Sequence, residues 1–134
     1  MKGKAMFSDE EIKDTVCQII SDVLSADRDE ITPGARFFAD LGGESIDLLD
    51  LTFRCEKTFG VKIQIDKMLS ADDVQTDATG QLTPQSIAAI GAKLPSLDLG
   101  KVRPDMGPSA IQEMLTVGVI TDYVKFRLMQ ASAA

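Results

Sequence analysis

From Asp9 onward apolar residues fall at helical spacing: Ile12, Val16, Ile19 and Val23, with Ile20 and Leu24 widening the stripe. Ser8 with Glu11 three residues later carries the signature of a capping box, and Asp9, Glu10 and Glu11 suit the positive end of a helix dipole. A first helix is predicted from about Asp9 to Ser25. The rhythm then breaks between Asp27 and Gly43, a long loop punctuated by Thr32-Pro33-Gly34 and anchored by Ile31, Phe37, Phe38 and Leu41. A second helix is predicted from Ser45 to about Phe59, stopped by Gly60. Its pattern is double. At 100° per residue Leu48, Leu51, Cys55 and Phe59 share one face, while Ile46, Leu49 and Phe53 form a second stripe roughly opposite. One stripe suffices for a core; the other is either buried on a second side or offered to partners.

After Val61-Lys62-Ile63-Gln64-Ile65 comes a short apolar piece, Met68-Leu69, then the polar run Asp72 to Gly80. That run lacks the ligand spacing and closing glutamate of an EF-hand and reads as a polar turn. Thr83-Pro84 offers an N-cap and a first-turn proline, Ile87, Ile90 and Leu94 make a stripe, and Pro95 closes a short helix. Residues 96–108 read as an irregular connection, held down by Leu97, Leu99, Val102 and Met106. Pro108 opens one further predicted turn through Ile111 and Met114. A closing helix follows, with Val117, Ile120, Val124 and Leu128 as its core stripe and Lys125 and Arg127 suiting its C-terminal end. Gly118 inside it costs about 1 kcal/mol against alanine, for which only close packing offers a reason.

At 134 residues the chain is large enough for one domain with a real core. It carries 21 acids against 14 bases, a net charge of −7, and no histidine. The first 64 residues hold 13 acids and 8 bases, the remainder 8 and 6, so most of the negative charge lies in the half with the two-striped helix. Such a surface disfavours nucleic acid and favours basic partners. No apolar run approaches the ~18 residues that cross a membrane, and the Met1–Met6 stretch lacks the apolar core of a signal peptide. Cys17 and Cys55 have no metal-ligand spacing and lie beside apolar helix positions, so they read as small buried hydrophobes in a reducing cytosol. Without histidine, a nucleophile–base motif or a metal cluster, an enzyme has little to stand on.

The candidate chemistry lies at Asp40-Leu41-Gly42-Gly43-Glu44-Ser45-Ile46-Asp47-Leu48-Leu49-Asp50-Leu51. Two glycines end a loop, an acid follows, and a serine stands where the second helix begins. A serine after Gly-Gly is a good helix start in its own right. The stretch also closely resembles the attachment motif of acyl and peptidyl carrier proteins. The resemblance extends over the Ile-Thr-Pro opening, the aromatic pair and the Asp-Leu-Gly run, residues 8–65 in all. The Thr116-Val117 to Asp122-Tyr123 stretch extends it to about residues 114–130.

What the resemblance implies is an all-α, acyl-carrier-type helical bundle forming a single domain. Residues 8–65 would supply two core helices and the arm-site loop, 66–107 an inserted helix-and-loop segment, and 108–131 the closing helices. Ser45, with Gly43 and Glu44 beside it, would carry a covalent 4′-phosphopantetheine arm. Its phosphate would meet the N–H groups and positive dipole end of the helix, and the glycines would let a bulky enzyme approach. The arm would hold an acyl or related intermediate as a thioester. Docking would fall on Ile46, Asp47, Leu49, Asp50, Phe53 and Glu56. The implied partners are a phosphopantetheinyl transferase and acyl-loading and acyl-transferring enzymes with basic docking patches. The resemblance further implies a cytoplasmic monomer without catalysis, metal, nucleic acid or membrane span. An aminoacyl or peptidyl carrier, or an all-helical interaction module that never bears an arm, are the alternatives. Two departures stand out: Glu44 replaces the usual aspartate, and Arg54 and Lys57 put positive charge on a helix that is normally acidic. Both point to a dedicated set of enzymes. The inserted segment, rich in apolar anchors, is expected to pack on the core and to narrow the range of partner or cargo, as a wall to the arm's path or an enlargement of a chain cavity.

Overall fold

The computed structural model describes residues 7–65, 75–105 and 113–133. Four α-helices make up the described regular structure: α1 (Asp9–Leu24), α2 (Ser45–Phe59), α3 (Pro84–Lys93) and α4 (Val117–Ala133), with single 3-10 turns at Arg28–Glu30 and Leu99–Lys101. Extended pairing among the described residues is confined to two isolated antiparallel bridges, Arg36 with Thr116 and Thr76 with Leu82.

α1 begins as its sequence dictates. The Ser8 hydroxyl accepts from the Glu11 N–H at 3.1 Å, and the Glu11 carboxylate accepts from the Ser8 N–H at 2.9 Å. It ends one residue before the predicted limit, at a left-handed Ser25. Ile12, Val16, Ile19 and Ile20 are buried, with Cys17 among them. α2 ends at Gly60, whose φ of 75° is the left-handed stop that the glycine permits. α3 opens with the Thr83 hydroxyl accepting from the Ser86 N–H at 3.1 Å and Pro84 at its first position.

α1 packs against α2 and α4, and α3 packs against α4. One core joins Val16 and Ile20 of α1, Leu51, Cys55 and Phe59 of α2, Ile63 and Ile65 beyond it, and Val117, Ile120 and Val124 of α4. Leu82, Ile90, Leu94, Leu97 and Val102 are buried in the same cluster, so the described part of the 75–105 region is folded against the helices. The anchors Met68, Leu69, Val74 and Met106, and the expected turn at Pro108 to Ile111, lie outside the described residues. The Asp77 carboxylate accepts from the Thr79 and Gln81 N–H groups, making the polar turn that the sequence predicts, with Gly80 at φ 83°.

α4 corrects one expectation. It runs on to Ala133, which leaves Lys125 and Arg127 inside the helix rather than at its end. They bind sideways instead: Lys125 Nζ lies 3.9 Å from Asp9, and Arg127 Nε donates to the Lys62 carbonyl at 3.1 Å. The same helix explains Gly118. Its N–H donates to the Pro33 carbonyl at 2.9 Å, and a Cβ there would stand 3.2 Å from that oxygen and 3.5 Å from the Ser96 side chain. Close approach of two loops to the first turn of α4 is what the glycine allows. Ser96 is fixed there because its N–H donates to the Asp122 carboxylate at 2.6 Å.

Candidate functional site

The loop before α2 is tied down from below. The Phe37 N–H donates to the Leu115 carbonyl at 2.8 Å, the Val117 N–H to the Ala35 carbonyl at 2.9 Å, and Gly118 to Pro33 as above. Residues 33–37 thus run antiparallel to the entry of α4, and the fully buried Phe37 ring anchors them in the core. Above this, the Asp40 carboxylate accepts from the Arg36 backbone N–H at 2.8 Å and from its guanidinium at 3.2 and 3.3 Å. These bonds, the backbone one foremost, hold the Asp40 carboxyl below its ordinary pKa.

The two glycines divide the work. Gly42 sits at φ 71° in open space, a conformation that side chains resist. Gly43 has ordinary backbone angles, but a Cβ there would meet two Phe37 ring carbons at 2.5 and 2.7 Å and the Phe37 carbonyl at 2.9 Å. Its N–H donates to that carbonyl at 2.9 Å. The space beside Gly43 is therefore filled by Phe37 of the same chain.

The helix start also differs from a serine cap. Glu44 is the N-cap residue in extended geometry, its carbonyl accepts from the Leu48 N–H at 3.1 Å, and the Asp47 carboxylate accepts from the Glu44 N–H at 2.9 Å. Ser45 is the first helical residue. Its side chain is exposed and its hydroxyl has no hydrogen-bond partner among the described residues. A free primary hydroxyl at the positive end of a 15-residue helix is placed to carry a phosphate, which the first-turn N–H groups and the dipole would stabilise.

Below Ser45 the two stripes of α2 separate cleanly. Leu51 and Cys55 are 0% exposed, whereas Ile46 is 71%, Phe53 62% and Leu49 42% exposed. The acids are more occupied than the sequence suggests. Asp47 serves the cap, Asp50 pairs with Arg54 at 3.0 Å, and the Glu56 carboxylate accepts from the backbone N–H groups of Ile63 and Gln64 at 3.1 and 3.2 Å. Gln64 is left-handed at φ 54°, and the turn it makes leaves donors that Glu56 satisfies. Glu56 therefore fastens the exit of α2. A readable signal for this was an acid in the last helical turn, where the dipole opposes it. Phe37 and the Arg36–Asp40 pair also shape the site, and no local motif in the sequence marks that role.

The thiols are withdrawn from chemistry. Burial, with Glu56 beside it, pushes the Cys55 thiol up to about 12, and burial raises Cys17 as well. No cluster of three His, Cys, Asp or Glu residues that could hold a metal occurs among the described residues. No helix among them is long and apolar enough to cross a membrane.

The family profile of a phosphopantetheine attachment site matches residues 14–76, a span that contains the whole loop and α2. The acyl carrier protein of Thermotoga maritima is 39% identical over 72 residues, covering 52% of this chain and 89% of that protein. The chain belongs to the acyl carrier protein family. Acyl carrier protein AcpXL of Brucella melitensis is 43% identical over 54 residues, 40% of this chain. The AcpXL proteins of Brucella suis and Mesorhizobium japonicum match to the same extent, and the match spans 58% of each of these relatives. No solved structure matches. The all-α arrangement is that of an acyl-carrier helical bundle, and the prosthetic group of the family is covalent 4′-phosphopantetheine. An exposed hydroxyl on the first turn of α2, without a hydrogen-bond partner among the described residues, fits that group.

Proposed function

We propose that this acyl carrier protein bears its arm on Ser45 and presents an acyl group, held as a thioester on the arm's terminal thiol, to biosynthetic enzymes. The observation that carries the reading is the free Ser45 hydroxyl on a helix start whose capping is done by its neighbours. The chain's own residues orient and present: Phe37 and Gly43 fix the approach of the loop, Glu44 and Asp47 fix the first turn, and the hydroxyl is left for a phosphodiester. Catalysis belongs to the partners, a phosphopantetheinyl transferase and acyl-handling enzymes. The net charge of −7 favours basic surfaces on them at long range. Two free, buried thiols suit a reducing cytoplasm. We also read residues 66–107 as an insertion that narrows the range of partner or cargo, its described part held on the core and on α4.

Incubation with coenzyme A, magnesium and a phosphopantetheinyl transferase, followed by mass spectrometry, tests the reading. The native chain should gain one arm, mapped to Ser45. Ser45→Ala should gain none and unfold within about 0.5 kcal/mol of the native chain, because the cap belongs to Glu44 and alanine suits a helical position. An arm on the Ala variant would refute the assignment.

A further inference from the structure

A cavity of about 280 Å³ lies where three stretches meet: the arm-site loop at Gly34 and Arg36, residues 96–101, and the entry to α4. Its walls are fixed by the chain itself. Arg36 and Thr116 form one of the antiparallel bridges, the Phe37 N–H beside them donates to the Leu115 carbonyl, and the Ser96 N–H donates to Asp122. The lining is mixed. Arg36 and Lys101 bring cations, Asp98 and Glu113 carboxylates, and Leu97 and Met114 apolar surface. Much of that polar capacity is open. The side chains of Lys101 and Glu113 have no partner among the described residues, and the Asp98 carboxylate has one oxygen engaged, by the Gly100 N–H at 3.0 Å. Arg36 donates from Nε and Nη2 to Asp40 and keeps Nη1.

We propose that this cavity is a resting site for the distal half of the phosphopantetheine arm, between the arm-site loop and residues 96–101. This rests on Ser45 being the arm site. The fit is chemical. Amide carbonyls of the arm find donors in Arg36 and Lys101, its amide N–H groups find acceptors in Asp98 and Glu113, and its methylene runs find Leu97 and Met114. A saturated acyl chain would strip water from the charged groups and return no hydrogen bond. A small anion would face two carboxylates along with the two cations. Reach is sufficient. Two residues from Ser45 to Gly43 span at most about 7 Å, and the Gly43–Phe37 hydrogen bond carries about 7 Å more from Cα to Cα. One residue back to Arg36 adds about 4 Å, so at most about 18 Å separates the Cα atoms of Ser45 and Arg36. About sixteen bonds from the serine Cα to the arm's sulfur equal a little over five extended residues, about 18 Å. The thiol end therefore comes to rest against residues 96–101, which gives that stretch a direct hold on what the arm carries.

The test compares the full chain before and after arm addition from coenzyme A, magnesium and a phosphopantetheinyl transferase. In amide NMR spectra, the arm should shift the signals of Arg36, Asp98, Gly100 and Lys101 as well as those flanking Ser45. Shifts confined to the flanks of Ser45 overturn the proposal while leaving Ser45 as the arm site. A chain that gains no arm by mass spectrometry removes the Ser45 reading and the proposal with it. The second readout is the arm's own thiol, which a thiol reagent reports because Cys17 and Cys55 are 1% and 0% exposed. Gly34 lines the cavity, its φ is not positive, and a Cβ there meets nothing within 4 Å, so Gly34→Leu fills the space from a tolerant position. In that variant the distant shifts should vanish and the arm thiol should react roughly threefold faster, as expected if about two-thirds of the native arms are at rest. Lys101→Glu, an exposed change, should quicken the reaction by less and stands in if circular dichroism melting shows Gly34→Leu to be misfolded. Thiol rates equal to the native one in the folded variants overturn the proposal.

Discussion

α2 and α4 are helices of nearly equal length in one small domain, and they are covered very differently. As far as Leu128, α4 is buried on most sides, with Val117, Val119, Ile120, Thr121, Tyr123, Val124 and Leu128 inside; beyond it, Met129 is 70% exposed. α1 lies on it, α3 lies on it, the 33–37 loop is bonded to its first turn, and Lys93 of α3 sits over the Tyr123 and Phe126 rings at 5.8 and 5.4 Å. α2 has α1 against its inner face and leaves Ile46, Leu49 and Phe53 bare. The chain had apolar material with which to cover a helix, and in the described residues it went to α4. An uncovered stripe on α2 is then a feature of how the cover is distributed, which is what an interaction surface requires. The described residues of the 75–105 region pack on the shared core and on α4, as expected of a segment rich in apolar anchors.

The contrast is sharpest between two residues of α2 that are neighbours but one. Leu51→Ala removes a fully buried side chain and should cost about 3 kcal/mol, within the range of leucine truncations in cores. Phe53→Ala, a larger truncation, should cost about 0.5 kcal/mol or less, because its ring already lies mostly in water. Urea unfolding of both variants checks this. Equal losses would mean that Phe53 is core and that the two faces of α2 are not distinct.

Gly43→Ala comes next, with an expected loss of about 2 kcal/mol by overpacking. The added methyl group meets the Phe37 ring at 2.5 Å and the Phe37 carbonyl at 2.9 Å, and that ring has no room to yield inside the core. Gly42→Ala is destabilising for a different reason, its φ of 71°, and touches nothing. If the braced loop is what positions Ser45, Gly43→Ala should slow arm addition more than its stability loss alone explains, measured at a temperature where both proteins are folded. Equal rates would leave the loop's rigidity without a role at the site.

The sequence made the helices legible because their signals are local. The Ser8–Glu11 box, Gly60, Thr83-Pro84 and the two stripes of α2 each sit within a few residues of what they determine, and the structure has them where the pattern put them. The serine at the helix start was legible too, through a motif with physical sense. What was hidden depends on residues far apart in the chain. Gly118 makes sense only once Pro33 and Ser96 arrive beside it, and Gly43 only once Phe37 folds beneath it. Glu56 looked like a surface charge until the turn at Gln64 supplied its donors. Serine looked like a cap because serine usually is one, and here the extended Glu44 before it took that place.

The smallest expected effect concerns the exposed bracing of the loop by Asp40, and it is read through pH. The Arg36 backbone N–H and guanidinium hold the Asp40 pKa below that of a free aspartate, so the folded state binds a proton there less readily than the unfolded chain. The contribution is therefore complete above the unfolded pKa, near 4, and is lost as pH falls through the lower folded value. Asp40→Asn should leave a protein slightly less stable at pH 7, with the two curves converging as pH falls from about 4 through the lower folded value. Because the carboxylate is largely open to solvent, salt should shrink the difference at pH 7. The same variant keeps the buried Phe37 anchor and the bonds to α4, so arm addition at Ser45 should fall far less than with Gly43→Ala. A variant that instead lost arm addition while keeping its stability would place Asp40 among the residues that partners read, and would move the boundary between braced loop and docking face to the other side of Ser45.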